Sequence, residues 1–402
     1  MKLKDLFKLW RCSGIQKKYN NIVKKLKQKE KIKVIFLVRE NQKWTYQSLY
    51  EEFDKSERFE PLVLVSLLTL AATGKDKTRN NLKENFNFFK KLGDRVDYAY
   101  KDGKYIDLKE FKPDIVFYDQ SWDLPDIHMP YKVSDYALTC YSPYGFELLD
   151  CKDDYTQLFH KTLYRFYTCN QYNLERYESY KKGNSNNCRV AFNQKLDAYF
   201  KKTEFSDIWK NPDKFKIIYA PHHSLDKNGF KLSTFLQNGR FILELAKNHP
   251  ETTWIFKPHP RFHYALLRNN IMSEEEIREY YDQWKTIGAV FEQGDYFDIF
   301  MTSDLMITDG CAFLAEYLPC DKPIVRLVNS SQSAEFNKFG KDVLNCCYEV
   351  HNNSELEPII NQLYINKQDT KKAEREAIIP QIIDFDNKSS VKIYNQLEKE
   401  LK

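Results

Sequence analysis

The chain has 402 residues, 42% of them hydrophobic and 30% charged, with a formal net charge of +5. That length predicts two domains of ordinary size, and that balance of residues excludes a disordered chain. The longest apolar run, Leu62 to Ala72, is broken by Ser66 and Thr69 and falls well short of the roughly 20 residues a spanning helix needs.

The charge is unevenly placed. Residues 1–32 form a Lys-rich N-terminal segment in which Leu3, Leu6, Phe7 and Trp10 recur at helical spacing. A basic amphipathic surface of this kind suits an anionic membrane or a polyanionic acceptor. No apolar stretch follows it, so no secretory signal is read and a cytoplasmic location is expected, with peripheral contact at the inner face of the membrane through residues 1–30. Nucleic acid is not an expected partner, because no basic stripe with interleaved aromatics recurs. The nine cysteines are scattered and form no Cys-x-x-Cys pair, so they read as structural thiols.

A first Rossmann-like domain is expected over residues 33–205. Val34 to Val38 reads as a buried parallel strand, Ser48 to Ser56 as a helix and Pro61 to Ser66 as the next strand. A helix over Thr78 to Leu92, capped by Thr78, precedes strands over Asp114 to Tyr118, Asp135 to Tyr141 and Cys188 to Phe192. A polar helical stretch near Lys201 to Lys214 leads into a second domain over residues 206–380. Its strands are read at Lys216 to Ala220, Thr252 to Phe256, Ala289 to Glu292, Leu305 to Thr308 and Pro323 to Val325. Helices at Phe235 to Asn248, Ser273 to Ile287, Phe297 to Thr302 and Ala312 to Tyr317 alternate with them. Residues 381–402 end in a closing helix, Ser389 to Leu401. The alternation predicts an α/β fold of two facing Rossmann-like domains with an interdomain cleft.

Ligands of open α/β sheets sit beyond the carboxyl ends of the strands, and three strand ends of the second half carry chemistry. They are Tyr219-Ala220-Pro221-His222-His223-Ser224, Lys257-Pro258-His259-Pro260-Arg261 and Thr308-Asp309-Gly310-Cys311-Ala312, the last opening a helix that holds Glu316. Histidine beside Lys and Arg suits an anion, and a helix start supplies free N–H groups. Together they predict a phosphate cradle without a Gly-rich loop, since neither GxGxxG nor GxxxxGK[ST] occurs.

These segments resemble the CDP-glycerol glycerophosphotransferase family of teichoic-acid primases and polymerases and their relatives in capsule assembly. The family shows a Tyr-Ala-Pro strand end, a His-Pro after the next strand, and a Ser-Asp-x-x-Ile-Thr-Asp run. Here that run is Ser303-Asp304-Leu305-Met306-Ile307-Thr308-Asp309, followed by Glu316-Tyr317 and Lys322-Pro323-Ile324. Looser echoes lie at Trp44 to Tyr50, Pro113 to Gln120 and Arg189 to Asp197. The chain departs from the family where paired serines give way to Gly310-Cys311-Ala312, and where His222-His223-Ser224 replaces a hydroxyl and a basic residue.

The resemblance implies a GT-B type fold, a CDP-linked or other nucleotide-diphosphate donor bound by the C-terminal half, and a glycan or lipid-linked glycan acceptor. A hydroxyl of the acceptor would attack the β-phosphorus, with His259 and Lys257 stabilising charge. A general base is expected from the first half, where only His160 and His128 occur, with Asp119 third. Tyr144 and Gly145 in a Ser-Pro-Tyr-Gly loop are expected to orient the acceptor, and Glu316 to receive ribose hydroxyls. No cofactor and no metal are expected, because no Asp-x-Asp stands where a metal-dependent glycosyltransferase would place one. Two other readings stay open: a GT-B sugar transferase for capsule or lipooligosaccharide, and a non-catalytic nucleotide-sugar-binding component of a capsule assembly complex.

Overall fold

The computed structural model describes residues 14–77, 80–151, 153–180, 186–200, 208–226, 229–292 and 294–402. Leu3, Leu6, Phe7, Trp10 and the Thr78 cap lie outside that set. The chain divides into two units. One holds the residues up to Phe146, Cys151–Asp197 and Asp384–Lys402; the other holds Glu147–Asp150 and Ala198–Ile383.

The first unit is built on seven strands: β1 Ile32–Val38, β2 Phe59–Val65, β3 Val96–Tyr98, β4 Ile115–Tyr118, β5 Leu138–Tyr141, β6 Arg165–Thr168 and β7 Cys188–Val190. Their order is β3-β2-β1-β4-β5-β6-β7, with every pair parallel. β1 runs Ile-Lys-Val-Ile-Phe-Leu-Val and is paired on both sides, so it is apolar on both faces. Phe36 on β1 stacks on Phe117 of β4 and is ringed by Tyr46, Tyr50 and Phe53. Helix α1, Ile15–Leu26, turns Tyr19 and Leu26 into this core, and the Tyr19 hydroxyl bonds Thr139 Oγ1 and the Thr162 carbonyl, each at 2.6 Å. The outward face keeps Lys17, Lys24 and Lys25. The helix expected from Thr78 is described over Leu82–Leu92, and Asn81 at its start makes no side-chain cap.

The second unit has six parallel strands: β8 Phe215–Ala220, β9 Thr252–Phe256, β10 Ala289–Val290, β11 Leu305–Thr308, β12 Ile324–Leu327 and β13 Tyr348–Val350. They run in the order β10-β9-β8-β11-β12-β13. Helices α2, Phe235–Asn248, and α3, Glu274–Ile287, connect them. Ser273 and Glu276 close a capping box at the start of α3. Trp284 of α3 stacks on Phe256 of β9 at 5.2 Å. Residues 208–214 are turns and bends rather than the expected helix. β6, β13 and the helices Lys338–Asn345 and Asn353–Tyr364 are additions to the elements read from sequence.

In both sheets the order reverses next to the first strand, which is the doubly wound pattern. The reversal falls between β1 and β4 in the first unit and between β8 and β11 in the second.

The last helix, α4, Ser389–Leu401, belongs to the first unit. Ile393, Leu397 and Leu401 are wholly buried in its core. The Asp197 carboxylate accepts the Ser389 and Ser390 N–H groups at 2.8 and 3.0 Å, satisfying two orphan donors of the helix start.

Candidate functional site

The reversal between β8 and β11 brings the three expected strand ends together on one sheet edge. Pro221 ends β8, and its carbonyl accepts the N–H of His259 at 3.1 Å. This bond ties the β8 and β9 ends. The β11 end is tied by Asp309, whose Oδ1 accepts His222 N at 2.5 Å and whose Oδ2 accepts Thr234 N at 2.6 Å and Thr234 Oγ1 at 2.9 Å. Thr308 Oγ1 adds a bond to the Ala220 carbonyl at 2.7 Å and accepts Gly310 N at 3.0 Å.

Three imidazoles crowd the rim this frame creates. Ring centroids of His223 and His259 stack at 3.9 Å, His222 and His223 lie at 4.4 Å, and His222 and His259 at 5.3 Å. The ring nitrogens they offer fall within 4.8 Å of one another. Burial among neighbours holds all three neutral: His222 is pushed down to about 3, His223 to about 4, and His259 well below the usual histidine range. The cationic form of His222 would also face His223, that of His223 the Arg261 guanidinium, and that of His259 both other rings, Lys257 and Arg261. His259 Nδ1 accepts Arg261 N at 3.0 Å, so its neutral ring carries the proton on Nε2. His223 Nδ1 is buried and has no hydrogen-bond partner among the described residues. A neutral Nε2–H beside a buried unsatisfied nitrogen is donor and acceptor chemistry awaiting a polar ligand.

Other expected donor residues take different places. Lys257 is 2% exposed, its ammonium caged by Phe291, Tyr296 and Phe313 at 4.7 to 5.5 Å from the ring centroids, and its charge is among those that hold His259 neutral. Glu316 is 1% exposed; its carboxylate accepts the Tyr296 hydroxyl and its carbonyl accepts Tyr199 OH at 2.7 Å. That burial removes it from ribose contact. Tyr219 is in the core against Phe256 and Trp284, and Pro258 is buried. Asp309 is a brace rather than a ligand, and burial pushes its carboxyl up to about 6 against the N–H bonds from Thr234 and His222. Arg261 is exposed and Cys311 and Ala312 are partly so, whereas Gly310 is buried. A side chain on Gly310 would start 3.5 Å from His222 Cδ2.

All three expected bases are buried. His160 is 1% exposed among Tyr141, Phe159 and Phe166, and burial lowers it to about 3. His128 is fully buried against Tyr105, bonded to the Ile106 carbonyl and lowered to about 4 by burial. Both are core residues of the first unit. Asp119 follows β4 at the first reversal, but Arg39, from the end of β1, engages its carboxylate through N, Nε and Nη2, and both side chains are wholly buried. Tyr144 and Gly145, after β5, stay partly exposed. Tyr144 lies edge-on to Trp122 at 5.9 Å, with Lys43 Nζ 5.4 Å from its ring centroid. Ser224 and Thr234, the groups that hold the rim together, were missed; Ser224 was visible in its motif, whereas nothing near Thr234 in sequence signals Asp309.

A doubly wound sheet with polar side chains gathered at its reversal is the arrangement at which open α/β proteins hold their ligands. The chain belongs to the CDP-glycerol:poly(glycerophosphate) glycerophosphotransferase family, whose model matches residues 192–397, just over half its length. It is accordingly a transferase. No curated protein matches it in sequence. Among solved structures, wall teichoic acid polymerase TagF superposes with a TM-score of 0.62 at 13% identity, covering 100% of this chain and 98% of that one. UDP-GlcNAc 2-epimerase from Neisseria meningitidis, bound to UDP-GlcNAc, gives 0.59 at 14% identity, covering 92% and 100%. The S. aureus MnaA–UDP structure gives 0.58 at 13%, covering 92% and 97%. At such identities these likenesses establish the fold, which is of the GT-B type.

Proposed function

We propose that this chain transfers a polyol phosphate, glycerol phosphate in the first instance, from a CDP-linked donor to a cell-surface glycan, and that His222, His223 and His259 contact the donor's diphosphate. The observation that carries the reading is the convergence of three neutral imidazoles on the sheet reversal, with Arg261 beside them. An acceptor hydroxyl oxygen forms a bond to the β-phosphorus, the bond from that phosphorus to the bridging oxygen breaks, CMP leaves, and the hydroxyl proton is released to water. Such a transition state is loose, so positioning and charge stabilisation supply the catalysis. His259 Nε2–H donates to a phosphate oxygen and Arg261 balances charge. With the serines of the family absent at Gly310 to Ala312, the imidazoles carry more of the contact. Tyr144 and Gly145 are assigned to the acceptor. The reaction is assigned no cofactor or metal; unchanged turnover after chelator treatment is the expected result.

Calorimetry with CDP, CMP, UDP and GDP tests the donor. Preference for CDP is expected; preference for UDP or GDP overturns the polyol-phosphate reading in favour of a sugar transferase. His259→Ala is expected to cost roughly tenfold or more in turnover with the fold intact.

Peripheral membrane contact is also proposed, through residues 1–13 and the outer face of α1. Among the described residues no helix is long and apolar enough to cross a membrane. Because Tyr19 and Leu26 serve the core, the informative variants are deletion of residues 1–13 and Lys→Glu changes at Lys17, Lys24 and Lys25. Undiminished sedimentation with anionic liposomes rejects the contact.

A further inference from the structure

The hydrogen bonds of one serine decide where His222 keeps its proton. Ser224 Oγ accepts the backbone N–H groups of Leu232 at 2.9 Å and Ser233 at 3.2 Å. A hydroxyl has two lone pairs and one proton. With both lone pairs engaged by N–H donors, the proton goes to the remaining partner, His222 Nδ1 at 2.8 Å. The backbone N–H of Ser224 points at the same nitrogen from 3.2 Å. Nδ1 therefore accepts twice, and a neutral imidazole in that state carries its proton on Nε2.

The ring's orientation matters too. Cδ2, the atom bonded to Nε2, lies beside Gly310 with no side chain between. A ring turned over, or protonated on Nδ1, would lose both bonds to Ser224 and present a lone pair where a phosphate oxygen would repel it.

We propose that Ser224 is a positioning residue for donor binding, its hydroxyl holding His222 as an Nε2–H donor toward phosphate at the Gly310 side of the rim. The proposal rests on the assignment of the histidine rim to the donor's diphosphate. It has a second consequence. A zinc ion at Nε2 would need the proton moved to Nδ1, against the two donors already there. His222 and His259 are thus arranged for an anion, although the spacing of the three rings alone would admit a metal.

Long-range nitrogen–proton NMR on the full chain reads the tautomer directly. The wild type is expected to show His222 protonated on Nε2, with Ser224→Thr keeping that pattern and Ser224→Ala losing it. CDP affinity is expected to fall about five- to tenfold in Ser224→Ala, the weight of a mis-set hydrogen bond, and to stay within about twofold in Ser224→Thr. Protonation of His222 on Nδ1 in the wild type overturns the proposal, and needs no variant to fold. An unchanged tautomer and affinity in a folded Ser224→Ala also overturns it. If His222→Ala and His259→Ala both leave CDP affinity intact, it is the donor-site assignment that fails instead. Zinc titration should leave the His222 and His259 signals unshifted at stoichiometric metal; tight binding to both rings contradicts the assigned tautomers.

Discussion

The residues with the largest consequences at the site are those that position others. Asp309 joins two strand ends and the Thr234 turn through three hydrogen bonds. Asp309→Ala leaves those donors buried and unpaired, a loss on the order of 3 kcal/mol. Denaturant unfolding should show it as a lower midpoint, with donor affinity falling in parallel because His222 N is released. His160 makes the contrast. Read from sequence it was the leading base; enclosed among aromatic rings, it is a packing residue. His160→Gln should cost about 1–3 kcal/mol of stability while the folded enzyme keeps kcat within about threefold. Abolished transfer in a stably folded variant would restore His160 as the base.

At the level of elements, the sheet reversals explain why buried polar groups are tolerated. Arg39 and Asp119 close the β1 and β4 ends with Arg39 also bonded to the Gln120 and Trp122 carbonyls. Arg39→Met strands a buried carboxylate, and a loss of roughly 3–5 kcal/mol is expected; a melt within error of wild type would show that water reaches Asp119. Gly288, between α3 and β10, is equally constrained by a neighbour. A Cβ there would stand 1.8 Å from the Trp254 carbonyl oxygen on β9. Gly288→Ala must therefore move backbone, and should lower stability by about 2–3 kcal/mol. Lys257 and His259 are fixed from the other side of β9, where their N–H groups donate to the Tyr219 and Pro221 carbonyls at 2.8 and 3.1 Å.

For the whole molecule, acid is the informative variable. His128, His160, His222 and His223 titrate at about 3 to 4 when folded, against about 6.5 unfolded. Between those values the unfolded chain binds protons that the folded chain does not, so stability is complete above pH 6.5 and falls as pH drops below it. Asp309 works the other way, since its raised carboxyl is protonated first in the folded state and gains stability as pH falls from about 6. Four histidines outweigh one carboxyl. Thermal unfolding should move several degrees lower between about pH 7.5 and pH 5, and a flat profile would contradict the buried neutral state. Removing α4 tests the division of the chain. It carries Glu400, ion-paired to Arg165 of β6 at 2.7 Å, so its deletion should unfold the first unit and spare the second, as limited proteolysis would reveal.

Helix and strand positions in the second half followed from sequence because apolar runs ended by Pro221, Pro258 and Gly310 state their own boundaries. Phe235–Asn248, Thr252–Phe256, Leu305–Thr308 and Ala312–Tyr317 are found where they were read. The three strand-end motifs, and with them the family and the class of donor, were legible for the same reason: their chemistry is local. β6 was not, because it opens on Arg165, whose charge is satisfied by Glu400 from the far end of the chain. Nor was it legible that Lys257 and Glu316 turn inward, that His160 and His128 are core, or that the final helix returns to the first unit. A sequence states what a side chain is able to do. Whether it meets solvent, an aromatic cage or an opposite charge depends on residues distant in the chain, and here that decided which histidines gather at the sheet edge and which pack in a core.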